Sequence, residues 1–208
     1  MSAPSRPLRA DARRNREAIL ASAAELFGER GESAQIEEIA AHAGLGVGTV
    51  YRNFADKQAL ITAIVAHRFE AATELAREAE QRKDPAEAFE TLLYGYLESV
   101  HGDAAFRRAL LGPEEPRWEA IGPQKDAFRT IVGRIVARAV EASLLRPDFG
   151  ADDFILITRG AMANMAAVDD WRRHIELQLD GIRGTATSAT PSSATPTSAT
   201  PTSATPSS

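Results

Sequence analysis

The sequence predicts an all-α protein made of two helical domains, a small one near the N-terminus and a larger one after it. Three observations carry this expectation. Apolar residues recur every three or four positions through most of the chain, and no alternating β-branched run marks a strand. Helix-starting residues (Asp56, the Asp84-Pro85 pair) stand before such runs, and helix-stopping residues (Gly31, Pro147, Gly150) stand after them. Hydrophobic residues make up 44% of 208, enough to fill a core.

Residues 1–11 read as a flexible basic arm in which Pro4 and Pro7 break regularity. Residues 1–16 carry five arginines (Arg6, Arg9, Arg13, Arg14, Arg16) against Asp11, while the whole chain has a net charge of −5. A basic arm on an acidic body is compatible with one face meeting phosphate, and equally with a solvated terminus. A first helix is expected over Ala12–Glu29, with Ile19, Ala23, Leu26 and Phe27 on one face. Two short helices are expected near Ile36–Ala43 and Val47–Phe54, and a long one from the Asp56 cap to about Arg82.

The next helix begins at Asp84-Pro85, with Glu87 at capping-box spacing, and buries Phe89, Leu92, Leu93, Tyr96, Leu97 and Val100. Residues 102–122 are interrupted by Gly and Pro and hold only short helices. A long helix over Pro123–Leu145 and two more over about 151–167 and 170–183 complete the fold. From Gly184 the composition changes. Ser-Ala-Thr-Pro plus a Thr or Ser repeats from Ser188 to Ser207, with no charge and no large apolar residue. Such a segment cannot bury enough surface to offset its ordering entropy, so 184–208 is read as a disordered tail.

Several function classes are disfavoured. The chain has no cysteine, hence no disulfide framework or thiolate metal site. No apolar run approaches a membrane span, and the first residues lack the apolar core of a secretory signal, so a cytoplasmic location is the expectation. The four histidines (His42, His67, His101, His174) are scattered. Glycine-rich phosphate loops are missing, and the acidic pairs Asp152-Asp153 and Asp169-Asp170 stand where helices begin. Neither enzymatic chemistry nor a cofactor is expected.

The informative stretch is IEEIAAHAGLGVGTVYRNF, from Ile36 to Phe54. Two short helices meeting near a right angle need a small residue at the contact, a residue tolerant of positive φ in the turn, and an apolar anchor on the second helix. Ala40, Gly44 and Val50 supply these in order. Ile36, Ile39, Tyr51 and Phe54 can complete the small core, with Phe54 the firmest of them. The second helix of such a motif enters the major groove, which makes Gly46, Val47, Gly48, Thr49 and Arg52 the residues facing DNA. The glycines let the backbone approach closely, Thr49 suits a phosphate or a thymine methyl, and Arg52 can fork onto guanine or grip phosphate. Gly48 could instead serve only helix packing.

Together with AILASAAELFGERG upstream and ADKQALITAIV downstream, this stretch resembles the TetR family of regulators, over about residues 12–70. The matching motif is Gly48, Thr49, Tyr51, Phe54 and Lys57. The resemblance implies phosphate contacts by Thr49, Tyr51 and Lys57, and base-facing positions for Val47, Gly48 and Arg52. For Lys57 a plain solvated charge is the other reading. Gln35 and Gly46 stand where the family often has Ser or Thr and Ser; both lack the hydroxyl that caps and touches phosphate, and both are kept in the DNA-facing set.

The resemblance further implies that residues 71–183 bind a small-molecule effector and dimerise. The last two helices are the expected seam, through Phe154, Ile157, Ala161, Met165, Ile175, Leu179 and Ile182, although periodicity alone fits packing within one subunit as well. A pocket between the middle helices would be lined by Phe89, Leu93, Tyr96, Trp118, Phe128, Met162 and Met165, with Arg129, His101 and Asn164 as polar candidates; plain core is the alternative for each apolar residue. The functional expectation is a homodimeric repressor that binds an inverted repeat in double-stranded DNA and is released by an effector. An activator, a ligand-independent regulator, and a helical carrier or enzyme with a vestigial DNA domain are the alternatives.

Overall fold

The computed structural model describes residues 6–112, 116–165 and 170–183. Among them the elements run α1 (Arg6–Arg30), α2 (Ile36–His42), α3 (Val47–Asn53), α4 (Lys57–Glu80), α5 (Pro85–His101), α6 (Ala104–Leu111), α7 (Gly122–Glu141), α8 (Ala151–Met165) and α9 (Trp171–Ile182). The fold is all-α, with an N-terminal helix-turn-helix and a helical C-terminal domain. The tail over 184–208 and the first five residues of the expected arm lie outside the described residues.

Where the sequence reading placed a flexible arm, α1 is already helical from Arg6. Pro7 does not break it, because a proline in the first turn lacks only an N–H that has no helical partner anyway. Ion pairs Arg14–Asp11 and Arg13–Glu17, the latter at 3.6 Å, run along its surface.

Two apolar clusters organise the chain. In the first, Ile19, Ala23, Leu26 and Phe27 of α1 meet Ile36, Ile39 and Ala40 of α2, Val50 of α3, Phe54, and Leu60, Ile61 and Ile64 of α4. In the second, Val65, Phe69, Ala72 and Ala76 of α4 meet the buried faces of α5, α7, α8 and α9. The helix α4 belongs to both. Its 24 residues form a rod of about 36 Å. Asp56 starts it, accepting the Ala59 N–H at 2.7 Å.

The far end of α4 is held by α7. Alanines 72, 76 and 79 let the two helices approach closely. Arg134 forks onto Glu80 at 2.5 and 3.0 Å. Arg138 donates to the backbone carbonyls of Glu80, Arg82 and Lys83 at 2.9, 2.7 and 3.1 Å, satisfying acceptors that a helix end leaves open.

Three details differ from the sequence reading. Glu87 does not complete a capping box; Asp84 caps α5 alone at 3.0 Å, and Glu87 pairs with Arg82. The interrupted stretch holds short helices as expected, and α6 begins there because Asp103 caps it, accepting the Phe106 N–H at 2.9 Å. The helix α7 ends at Glu141 rather than Leu145, because Ser143 takes φ 57 and turns the chain before Pro147 is reached.

The third difference concerns the expected dimer face. Phe154, Ile157, Ala161, Met165, Ile175 and Ile182 are buried inside this one subunit. They hold α8 and α9 to the core and are not free to meet a partner. The large apolar side chains that α8 and α9 leave exposed are Leu156 and Leu177.

Ser143→Gly is expected to stabilise the protein by about 1 kcal/mol, since glycine holds a left-handed φ without Cβ strain. Thermal unfolding should show a midpoint about 2–4 °C higher. A lower midpoint would show that the Ser143 side chain contributes more than the strain costs.

Candidate nucleic-acid interface and effector cavity

The turn between α2 and α3 is set by Gly44 at φ +67. The Leu45 N–H reaches the Ala40 carbonyl at 2.9 Å and the Gly44 N–H reaches Ala41 at 3.1 Å, the paired bonds of a Schellman stop. Leu45 then packs against the first core. Ala40 and Val50 are buried at the helix crossing, as the spacing required.

With Val50 anchored inward, the opposite side of α3 faces out. Gly46, Gly48, Tyr51 and Arg52 are exposed, and Val47 and Thr49 are half-buried. A Cβ built on Gly46 or Gly48 would meet nothing within 4 Å. Gly48 therefore does no packing work in this subunit. Tyr51, read from sequence as a possible core residue, is 49% exposed, whereas Phe54 is buried at 3%. One residue on from Val50, Tyr51 is rotated about 100° away from the anchored face.

The polar groups of this face already touch one another. Arg52 Nη2 donates to Thr49 Oγ1 at 2.9 Å, and Asn53 Nδ2 donates to the Thr49 carbonyl at 2.8 Å. Arg16 of α1 lies 4.4 Å over the Phe54 ring and reaches the Asn53 carbonyl at 3.5 Å. That adds a cation from a helix the motif alone does not point to. Lys57 is the first residue of α4, a position where the helix dipole disfavours a cation. Its ammonium lies 5.6 Å from the Phe27 ring centre. Gln35 is the N-cap of α2. Its backbone N–H donates to Glu38 Oε2 at 3.1 Å, the reciprocal bond of a capping box, and its side-chain amide donates to the Ser33 carbonyl at 3.1 Å.

A cavity of about 470 Å³ lies in the C-terminal domain. Of the residues expected to line it, Tyr96, Trp118, Phe128 and Met162 do. Phe89, Leu93 and Met165 do not; they are core. Phe89 packs edge-on against Phe149 and Phe154, at 6.3 and 6.4 Å between ring centres. Arg129 is at the cavity and pairs with Asp152 at 2.6 Å. His101 instead lies against Trp171, and Asn164 bonds His174 Nδ1 at 3.1 Å. Phe69 of α4, Leu110 of α6, Lys125 and Asp126 of α7, and Ile155, Thr158 and Arg159 of α8 also line it and were not singled out by sequence. Burial pushes the Tyr96 phenol well above its ordinary pKa, so it stays protonated and can donate to a ligand.

One connection runs from this cavity to the recognition motif. Trp118 starts a short 3-10 turn, Trp118–Ile121, and Arg117 precedes it. Arg117 Nη2 donates to Asp56 Oδ2 at 2.6 Å, and the Arg117 N–H donates to Thr62 Oγ1 at 2.9 Å. Asp56 is the cap between α3 and Lys57. The Ala59 N–H first, and Arg117 second, hold its carboxyl below the usual carboxylate range. A depressed folded-state pKa means the pair is present at neutral pH and is lost as pH falls through that lowered value.

Comparison with known proteins agrees with this architecture. Residues 19–64 match the family of bacterial regulatory proteins, tetR family. Residues 84–184 match the C-terminal domain of SbtR-like transcriptional regulators. The solved structure of a TetR transcription regulatory protein from Mycobacterium vanbaalenii is 32% identical, with 85% of this chain and 99% of that one covered, at a TM-score of 0.58. The chain belongs to the TetR family. This TetR-family transcription regulator is also similar to a TetR regulator from Streptomyces coelicolor, at 26% identity, 82% and 99% coverage and a TM-score of 0.59. A γ-butyrolactone receptor described as ArpA-like is 26% identical, with 84% and 91% covered and a TM-score of 0.63. No curated protein matches. No helix among the described residues of this TetR member is long and apolar enough to cross a membrane.

The two glycines of the motif should separate cleanly in urea unfolding. Gly44→Ala is expected to cost about 1 kcal/mol through its left-handed φ alone. Gly48→Ala is expected to gain up to about 1 kcal/mol, because it sits in a helix with open space around it. A destabilised Gly48→Ala would return Gly48 to a packing role.

Proposed function

We propose that this TetR regulator is a homodimeric, ligand-released repressor. Residues 12–70 form the DNA-binding domain and residues 71–183 the effector and dimerisation domain. The observation that carries the reading is the outward face of α3: two glycines open to solvent, flanked by Thr49, Tyr51 and Arg52, on a helix anchored by Val50. An open glycine face lets the helix backbone lie close to base edges in a major groove. Val47, Gly48 and Arg52 face bases; Thr49, Tyr51 and Lys57 hold phosphate. Gly46 and Gln35, the N-caps of α3 and α2, complete the DNA-facing set through their backbone.

Dimerisation through the exposed stripes of α8 and α9, around Leu156 and Leu177, would set two α3 helices on successive turns of an inverted repeat. A small molecule in the cavity lined by Tyr96, Trp118, Phe128 and Met162 would act through Trp118 and Arg117 on Asp56. If it binds better with the Arg117–Asp56 pair broken or displaced, it lowers the population of the DNA-competent arrangement.

Binding to a duplex from the region flanking its own gene, measured by fluorescence anisotropy, tests the interface. Arg52→Ala should lose about 1–3 kcal/mol, concentrated at one base position per half-site. Lys57→Ala should weaken binding on every sequence and flatten the salt dependence by about one phosphate contact. Equal loss on all sequences for Arg52 would move it to the backbone, and an unchanged salt slope would remove Lys57 from the phosphate set.

The coupling has its own test. With Trp171 replaced by Phe, Trp118 is the one tryptophan left, the chain having two. Adding the same duplex should change its emission, and Arg117→Met should abolish that change while the duplex still binds. A response that survives Arg117→Met would place the route elsewhere.

A further inference from the structure

A second cavity, of about 350 Å³, lies where the DNA-binding helices meet the C-terminal domain. Its walls come from the end of α1, from α4 and from α6: Phe27, Ile61, Ile64, Ala105 and Ala109 are apolar. The size falls at the small end of the range for ligand pockets. Its charged lining residues are Arg30 and Arg108, and no acidic side chain lines it among the described residues. Arg30 is committed to Glu38 at 2.7 Å. The Arg108 guanidinium makes no hydrogen bond or ion pair among the described residues, while the Arg108 backbone carbonyl accepts the Gly112 N–H at 2.7 Å. Its Nη1 lies 2.7 Å from the place a Cβ on Gly31 would take. Gly31, at φ +59, thus leaves the space that the guanidinium fills at the cavity edge.

An apolar pit beside a guanidinium that has no carboxylate partner among the described residues has a definite complement. We propose that this cavity binds a small amphipathic monoanion, an alkyl or aryl carboxylate, with its acid group on Arg108 and its apolar body against Phe27, Ile61, Ile64 and Ala109. A carboxylate matches the planar fork of arginine, and the one polar hydroxyl of the lining, that of Ser33, is already donated to the Arg30 carbonyl at 2.9 Å.

The location gives the site a consequence. The helix α6 stands between the two cores: Ala105 packs in the first, Phe106 in the second, and Ala109 touches both. A molecule held between α6 and α1 bears on how the DNA-binding domain sits on the rest of the chain, separately from the effector cavity. Operator affinity and ligand affinity are then linked by one factor, the same in both directions. This coupling rests on the DNA-binding reading above; the binding itself does not.

Decanoate is the probe, titrated calorimetrically into the full chain beside decanol and decyltrimethylammonium. Decanoate should bind best. Arg108→Gln, a change at the exposed rim, should weaken it by about tenfold or more. Ala109→Phe, which fills the pit, should abolish it, with circular dichroism confirming the fold. Arg159→Gln, at the effector cavity, should leave it unchanged. No decanoate binding at millimolar concentration, wild-type affinity in Arg108→Gln, equal binding of the cation, or loss in Arg159→Gln would each overturn the site. With a bound duplex, decanoate affinity and duplex affinity should shift by the same factor, about fivefold or more. Arg108-dependent binding with no such shift would overturn the regulatory consequence. Failure to bind any DNA would sink the repressor reading and leave the decanoate titrations to decide the site.

Discussion

The continuity of α4 is the constraint on which the other features depend. One helix supplies Leu60, Ile61 and Ile64 to the core beneath the recognition motif and Val65, Phe69, Ala72 and Ala76 to the core of the C-terminal domain. A helix cannot bend freely between two packed cores without breaking hydrogen bonds in its own ladder. The helix α4 thus joins the C-terminal domain to Lys57 and, across Asp56, to the end of α3.

Three polar clamps fix that grip. At the start, Arg117 holds the capping carboxylate of Asp56. In the middle, Arg68 pairs at 2.5 Å with Asp103, the buried cap of α6. At the end, Arg134 and Arg138 hold Glu80 and the last carbonyls. Exposed ion pairs contribute little to stability. Their value here is geometric, because each joins α4 to a different element of the C-terminal domain. Asp103 differs from the others: it is nearly buried and serves both as helix cap and as ion partner, so its loss would remove two interactions at once.

Much of the recognition motif was legible in the sequence because its chemistry is local. Ala40, Gly44 and Val50 are fixed by a contact, a left-handed turn and an anchor within a dozen residues. Tyr51 was harder, since an aromatic beside an anchored valine reads as core until its rotation about the helix is known. The helical stripe through Phe154, Ile157, Ala161 and Met165 was legible as a buried face. What buries it was not, because periodicity does not distinguish a neighbour in the same chain from one in another. Phe89 and Tyr96 share a stripe on α5, yet only Tyr96 reaches the cavity. The Arg117–Asp56 pair spans 61 positions and leaves no local trace. The same holds for Arg108, whose meaning comes from lying over Gly31 and beside α1.

The most direct test of the central claim, that the open face of α3 reads DNA on behalf of a symmetric pair of subunits, is selection of bound fragments from the whole genome by the purified full-length protein. Recovery of an inverted repeat, with half-sites about one helical turn apart and binding that falls steeply with salt, is the predicted result. The contradicting result is a set of recovered fragments with no shared sequence at moderate salt, which would leave the exposed glycines, Tyr51 and Arg52 without the partner that their arrangement implies.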